Sequence, residues 1–139
     1  MDEKITLIDT VKAPFAEELL SNISKVTPLE SIDYIIINHV EPDHSGAMPA
    51  LAKACPNAKF IISMAGKNEA IQHYGDIFSF EVVKDGATLN IGKCNLVFAM
   101  MTMLHWPDSM ATYSVEDKIL FSNDAFGQHY ATSKRYDDE

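Results

Sequence analysis

Residues 34–46 have the sequence YIIINHVEPDHSG, in which an apolar run passes directly into a run of polar side chains. The β-branched residues within Tyr34–Ile37 are typical of a buried strand. The polar residues after them are typical of a loop at the carboxyl end of a strand, where a rigid scaffold can hold functional groups. Pro42 removes a backbone donor and stiffens this loop, so we expect its side chains to occupy fixed positions.

The loop has the pattern H-x-E-x-D-H, which places four potential metal ligands within six residues. Two more residues of the same kind follow later predicted strands. Imidazole and carboxylate ligands without thiolate suit iron, manganese or zinc, and a carboxylate such as Asp124 can bridge two cations. The sequence therefore predicts a metal site built from His39, Glu41, Asp43, His44, His105 and Asp124.

Glu41 bears on which metal this site prefers. A histidine at this position would give H-x-H-x-D-H, a loop like that of a zinc hydrolase. A carboxylate is a harder ligand, adds negative charge and stabilises higher metal oxidation states. The sequence therefore favours iron and redox chemistry over zinc and hydrolysis.

The composition indicates one domain with an acidic surface. A chain of 139 residues with 47% hydrophobic content is long enough for a single core. The net charge of −9 opposes binding to nucleic acid or to an anionic membrane. Cys55 and Cys94 form no C-x-x-C pair, and we find no signal peptide or apolar run of roughly 20 residues, so we expect a cytoplasmic protein.

Hydrophobic periodicity predicts strands that alternate with helices, followed by consecutive strands. This order favours a mixed sheet covered by helices, with three strand ends that converge on one site. Ser45 is expected to cap the second helix. The predicted strands are 5–10, 32–38, 59–63, 78–84, 95–102, 112–115 and 118–122, and the predicted helices are 14–25, 46–54 and 67–74.

Three segments, Asn38–Met48, Leu104–Met110 and Phe121–His129, resemble signature segments of the metallo-β-lactamase-like domain of flavodiiron proteins. These are oxygen or nitric oxide reductases with a non-haem diiron centre. The resemblance covers essentially the whole chain and implies an α/β (α+β) fold, the αββα sandwich. It also implies that His39, Glu41 and His105 bind one iron, that Asp43 and His44 bind the other, and that Asp124 bridges them.

The sequence departs from the family pattern in three respects. The strands that normally precede Ile5, the final histidine ligand expected well beyond Asp124, and the flavodoxin-like domain that carries FMN are not found in these 139 residues. We therefore expect a single partial diiron domain over residues 1–139, incomplete at both ends and inactive alone. The resemblance implies oxygen or nitric oxide as substrate and a flavin- or rubredoxin-type electron donor in the full-length enzyme, where FMN also belongs.

Two alternatives stay open at this point. One is a zinc-dependent hydrolase of the same superfamily, in which a metal-bound hydroxide attacks an ester or amide. The other is a truncated, non-catalytic metal-binding protein that associates with another chain, since exposed sheet edges favour pairing, including pairing into a homo-oligomer. His129 is not included among the predicted ligands, because an isolated histidine in a loop is more often an ordinary polar residue than part of a metal site.

Overall fold

Two four-stranded sheets form the framework of the computed structural model, which describes residues 2–127 and 131–134. The first sheet is parallel throughout, in the order β1-β2-β3-β4, and the second is antiparallel throughout, in the order β5-β6-β7-β8. The strands are β1 Thr6–Ile8, β2 Tyr34–Ile37, β3 Lys59–Ile62, β4 Phe80–Val82, β5 Thr88–Asn90, β6 Asn95–Met100, β7 Met110–Ser114 and β8 Ile119–Phe121.

Helices connect the parallel strands. A 3-10 turn at Ala13–Phe15 leads into the first helix, and another at Leu29–Ser31 precedes β2. The helices are α1 Ala16–Ser24, α2 Pro42–Ser45, α3 Met48–Ala54 and α4 Met64–Tyr74. No helix within the described ranges has the length and apolar character needed to cross a bilayer.

The alternating faces of β2 and β3 divide the core into two layers. Ile35, Ile37 and Phe60 are fully buried in a cluster that includes apolar residues of the helices, such as Leu51 of α3. Ile36 instead belongs to the cluster between the sheets, together with Ile61, Leu96, Phe98 and Met110. Because each such side chain contributes about 1.5–3 kcal/mol on full burial, strand β2 is stabilised from both of its faces.

The single mixed sheet predicted from the order of elements is wrong. The chain starts a second sheet at β5, a short strand that is not among the predicted strands. Crossover helices favour parallel pairing and short turns favour antiparallel pairing, so the two halves of the chain form separate sheets that stack face to face. A stack of two sheets with helices agrees with the sandwich that the family resemblance implies.

Ser45 does not cap the second predicted helix. Pro42 begins a short helix of its own, Ser45 is its buried last residue, and α3 begins only at Met48 without a side-chain cap. A proline is well suited to a first helical position, and here this preference outweighs the capping preference of serine. The helix predicted at residues 67–74 also begins earlier, after Ser63, whose Oγ accepts a hydrogen bond from the Gly66 N–H at 3.0 Å.

Candidate metal centre

Hydrogen bonds fix the carboxyl end of β2 at Asn38, the residue directly before the first predicted ligand. Asp9 accepts from the backbone N–H of Asn38 at 2.8 Å and from its Nδ2 at 3.0 Å. The buried Thr112 hydroxyl of β7 donates to Asn38 Oδ1 at 2.7 Å, and the backbone N–H of Met110 donates to the Asn38 carbonyl at 2.9 Å. Asn38 therefore ties the end of the parallel sheet to the antiparallel sheet, and His39 follows directly from this fixed point.

Four of the six predicted ligands lie together at this end of the sandwich. One ligand atom from each of His39, Glu41, His105 and Asp124 lies within 4.8 Å of the others. The Nε2 atom of His39 lies 3.2 Å from Glu41 Oε2, and the Nε2 atom of His105 lies 3.5 Å from the same oxygen. We call these four residues the first ligand group.

The other two predicted ligands lie beside this group on α2. His44 Nε2 is 3.0 Å from Asp124 Oδ1 and 3.4 Å from Asp43 Oδ2. The second oxygen of Asp124, Oδ2, lies 3.5 Å from His105 Nε2. Asp43, His44 and Asp124 form what we call the second ligand group, and Asp124 belongs to both groups through its two different oxygens.

Asp108 supports the first ligand group from behind, a role that the sequence analysis did not assign. Its side chain is 1% exposed and contacts His39 Nδ1 through both oxygens, at 3.0 and 3.1 Å, while Oδ2 also accepts from the Val40 N–H at 2.7 Å. A carboxylate on Nδ1 leaves Nε2 as the nitrogen available to a metal and increases its basicity. No local pattern marks Asp108 for this role, because His39 lies 69 positions away in the chain.

Charge and burial act in opposite directions on His39. Burial lowers its pKa, but the hydrogen bonds and negative charge of Asp108, with further contributions from Glu41 and Asp124, raise the pKa overall to about 9. A ring with a carboxylate on each side is thus protonated at neutral pH when no cation is bound. A metal ion would take the place of that proton among the same carboxylates.

The donor set fits a pair of hard divalent cations. Three imidazoles and three carboxylates converge without any thiolate, which is the mixture typical of non-haem iron, manganese or zinc. Among the described residues, Asp43 Oδ1 is a buried oxygen without a hydrogen-bond partner. A buried carboxylate oxygen of this kind is costly unless a proton donor or a cation satisfies it, so the second ligand group also has the character of a cation site.

Apolar side chains lie on the loops that carry His105 and Asp124. Trp106 packs edge-on against His39 with 5.5 Å between ring centroids. Met103, Leu104 and Phe126, on the same loops as His105 and Asp124, are largely exposed. His129 lies outside the described residues.

All three segments predicted to converge do so. Glu41, His105 and Asp124 follow three different strands, β2, β6 and β8, and reach one place although these strands belong to two sheets. The sequence could indicate each of these strand ends. It could not indicate Asp108 or Asn38 as supports, because their contacts join residues 69 and 74 positions apart in the chain.

The chain belongs to the family described as ODP family beta lactamase, whose model matches residues 1–138. It is 44% identical to a nitric oxide reductase of Moorella thermoacetica over 100% of this chain and 35% of that protein. It is 47% identical to a rubredoxin-oxygen oxidoreductase of Megalodesulfovibrio gigas over 99% of this chain and 35% of that protein.

Solved structures give the same result. The crystal structure of the flavodiiron protein from Giardia intestinalis matches with a TM-score of 0.89 and 47% identity, over 99% of this chain and 34% of that one. The resemblance to flavodiiron proteins and the metallo-β-lactamase-like fold are therefore confirmed. The chain spans about 35% of the length of these relatives.

Proposed function

We propose that this chain is the diiron-binding region of a flavodiiron-type reductase that acts on oxygen or nitric oxide. The observation that carries the proposal is the position of Asp124, whose Oδ2 faces His105 at 3.5 Å and whose Oδ1 faces His44 at 3.0 Å. A carboxylate with each oxygen turned to a different imidazole is what a bridging ligand requires. The names of the relatives support the choice of substrates.

Each residue has a defined part in this proposal. His39, Glu41 and His105 would hold one iron, Asp43 and His44 would hold the other, and Asp124 would be shared. When bound, a reduced diiron centre would supply electrons to a small diatomic substrate. Asp108 holds the His39 ring in one orientation, and Trp106 covers one side of it and limits the access of water.

Glu41 supports iron over zinc in this proposal. The second candidate function is that of a zinc hydrolase, which would use a nucleophile generated from water. Zinc in such an enzyme would be held by a site richer in imidazole. The carboxylate of Glu41 lies between His39 and His105, at 3.2 and 3.5 Å from their Nε2 atoms. It therefore adds negative charge at the position where a hydrolase of this superfamily would place a neutral ring.

Sustained turnover needs repeated delivery of electrons. We propose that this comes from a flavin or a rubredoxin-type donor, which the name of the relative from Megalodesulfovibrio gigas supports, and that the 139 residues alone bind metal without steady reduction of oxygen or nitric oxide. A cytoplasmic location belongs to the same proposal, supported by the free thiols of Cys55 and Cys94.

The test is metal analysis of the chain produced with iron and zinc both supplied and purified without air. We expect iron to exceed zinc, and Mössbauer spectra to show non-haem iron with nitrogen and oxygen ligands. Activity assays with a lactam and a thioester should show no hydrolysis. Zinc as the bound metal together with hydrolysis would support the second candidate instead, and a chain without either metal would contradict both.

A further inference from the structure

We infer that Tyr74 is a positioning residue for the metal-binding loop and acts through the hydroxyl of Ser45; this inference rests on the proposed function. Tyr74 is the last residue of α4 and lies 29 positions after Ser45. The two hydroxyl oxygens are 2.7 Å apart. Neither residue is among the predicted ligands.

The other hydrogen bonds of Ser45 determine which hydroxyl is the donor in its contact with Tyr74. Ser45 Oγ lies within hydrogen-bond distance of the Val40 carbonyl and 3.1 Å from the Glu41 carbonyl, and both of these oxygens only accept. The single proton of Ser45 is thus used for the backbone, so Tyr74 must donate its own proton to Ser45 Oγ. A chain of hydrogen bonds therefore runs from α4 to the carbonyls of the two peptide groups that flank Glu41.

The hydrogen bond from Ser45 to the Glu41 carbonyl would not support this inference by itself. Serine hydroxyls in helices often bond to the carbonyl four residues earlier, as Ser45 does with Glu41. The contacts with Val40 and Tyr74 do not follow that pattern, and the Ser45 residue is completely buried. A buried hydroxyl with three partners can hold only one arrangement of the loop.

Helix α4 connects to both halves of the site. At its start, Ser63 Oγ donates to the backbone carbonyl of Asp108 at 3.0 Å, behind His39. At its end, Tyr74 contacts Ser45, and its ring packs against Phe78 with 6.3 Å between centroids. A single helix therefore links the support of His39 to the loop that carries Glu41, Asp43 and His44, and fixes the distance between them.

The first arm of the test measures the loop without metal. Amide hydrogen exchange of residues 40–47 should be faster in the metal-free Tyr74→Phe protein than in the parent, because only the hydroxyl is removed. Tyr34→Phe is the matched control, since it removes a tyrosine hydroxyl from the layer between the sheets. Unchanged exchange of residues 40–47 in Tyr74→Phe would overturn the inference.

The second arm measures binding of Co²⁺, followed by its visible absorption spectrum. Tyr74→Phe should weaken binding about tenfold and alter the spectrum, as loss of a group that orients ligands typically does. Ser45→Ala should weaken binding at least as much, and the double variant should equal Ser45→Ala, because Tyr74 acts only through Ser45. Ile23→Val, a remote core change, should lower stability without altering the spectrum.

The outcomes separate the inference from the proposed function. A parent chain that binds no Co²⁺ contradicts the diiron proposal, and the exchange arm still decides whether Tyr74 fixes the loop. Binding by Tyr74→Phe with the affinity and spectrum of the parent would overturn the inference and leave the diiron proposal intact. Additive losses in the double variant would also overturn it, since they would mean that Tyr74 acts by another route.

Discussion

The first ligand group contains one ligand, His39, that is buried in the fold, whereas every ligand of the second group is partly exposed. His39 and Asp108 are each 1% exposed, and Asp108 fixes both the ring and the Val40 backbone. Asp43 is 39% exposed and His44 is 26% exposed, and both lie on a helix of four residues. Two neighbouring sets of metal-type ligands therefore differ in how strongly the protein holds them before a cation arrives, and pre-organised ligands bind more tightly.

The first ligand group also contains more ligands than the second. The described residues supply four donors to the first ligand group but only three to the second, and Asp124 is shared between them. Two cations on one bridging carboxylate also repel each other. We expect the first ligand group to fill first and the 139-residue chain to bind about one metal tightly.

The largest difference in metal binding is expected between substitutions of one ligand from each group. His105→Ala should weaken Fe²⁺ binding more than about a hundredfold, since a four-ligand site supplies ~10–16 kcal/mol, or roughly 3 kcal/mol per ligand. Asp43→Ala should change the number of tightly bound metals little. Anaerobic Fe²⁺ titration measures both. Two tightly held metals per parent chain would contradict the asymmetry, unless a second subunit were shown to donate a ligand.

The next largest effect concerns the choice of metal in the first ligand group. Glu41→His should lower the ratio of iron affinity to zinc affinity by about thirtyfold, because it replaces a hard anionic ligand by a neutral imidazole. Competition between Fe²⁺ and Zn²⁺ without air measures this ratio. Asp43→His, the same kind of change in the second ligand group, is the control and should alter the ratio less. An equal ratio in parent and Glu41→His would remove the role given to Glu41.

Asp108→Asn removes the negative charge that supports His39 but keeps the shape of the supporting side chain. Asp108→Asn should weaken metal binding about tenfold, because the amide no longer makes the ring more basic. In the metal-free protein the pKa of His39 is about 9, above its ordinary value of 6.5. The stabilisation from this protonated ring is complete below about pH 6.5 and is lost as pH rises through about 9.

The free energy of unfolding of the metal-free parent should therefore fall between these pH values, by an amount on the order of a few kcal/mol. Asp108→Asn should flatten this fall. Urea unfolding at a series of pH values measures it. A parent whose stability is constant from pH 6.5 to 9 would show that His39 is not held in its protonated form.

The smallest effect is expected at the second ligand group through Gly46. A Cβ at this position would overlap the backbone N of Ala13 and lie 2.7 Å from the Pro42 carbonyl, so Gly46→Ala must shift α2. We expect binding of a second, weak Co²⁺ to fall about threefold and the first to be unchanged, with a stability loss of about 1–3 kcal/mol. Gly86→Ala is a matched control, because its φ of 72° strains an alanine far from α2.

The residues of both ligand groups were predicted from the sequence for a local reason. Hydrophobic periodicity identifies a strand, and a polar residue just after it marks the strand's end. The run Tyr34–Ile37 and the loop to Gly46 illustrate this, and β8 with Asp124 repeats it. The consecutive strands 112–115 and 118–122 were also predicted, and they pair as β7 and β8 across a short turn.

Local patterns failed where a residue's partner is distant in sequence. Ser45 has the local pattern of a helix cap, but its environment is set by Tyr74 and by a proline that starts another helix. Strand β5, Thr88–Asn90, has one apolar residue between two polar ones, which gives no clear period, and it is defined by its pairing with β6. The division into two sheets likewise depends on which strands pair.

The amino-acid sequence by itself determined which ligand-type side chains are available for the proposed chemistry, because residue identity and spacing are properties of neighbouring residues. The tertiary structure alone decided how the ligands are shared and supported. Asp124 faces His105 with one oxygen and His44 with the other, and Asp108 lies behind His39, only because two sheets stack with their strand ends together. Such contacts depend on the packing of side chains far apart in the chain, which no local pattern encodes.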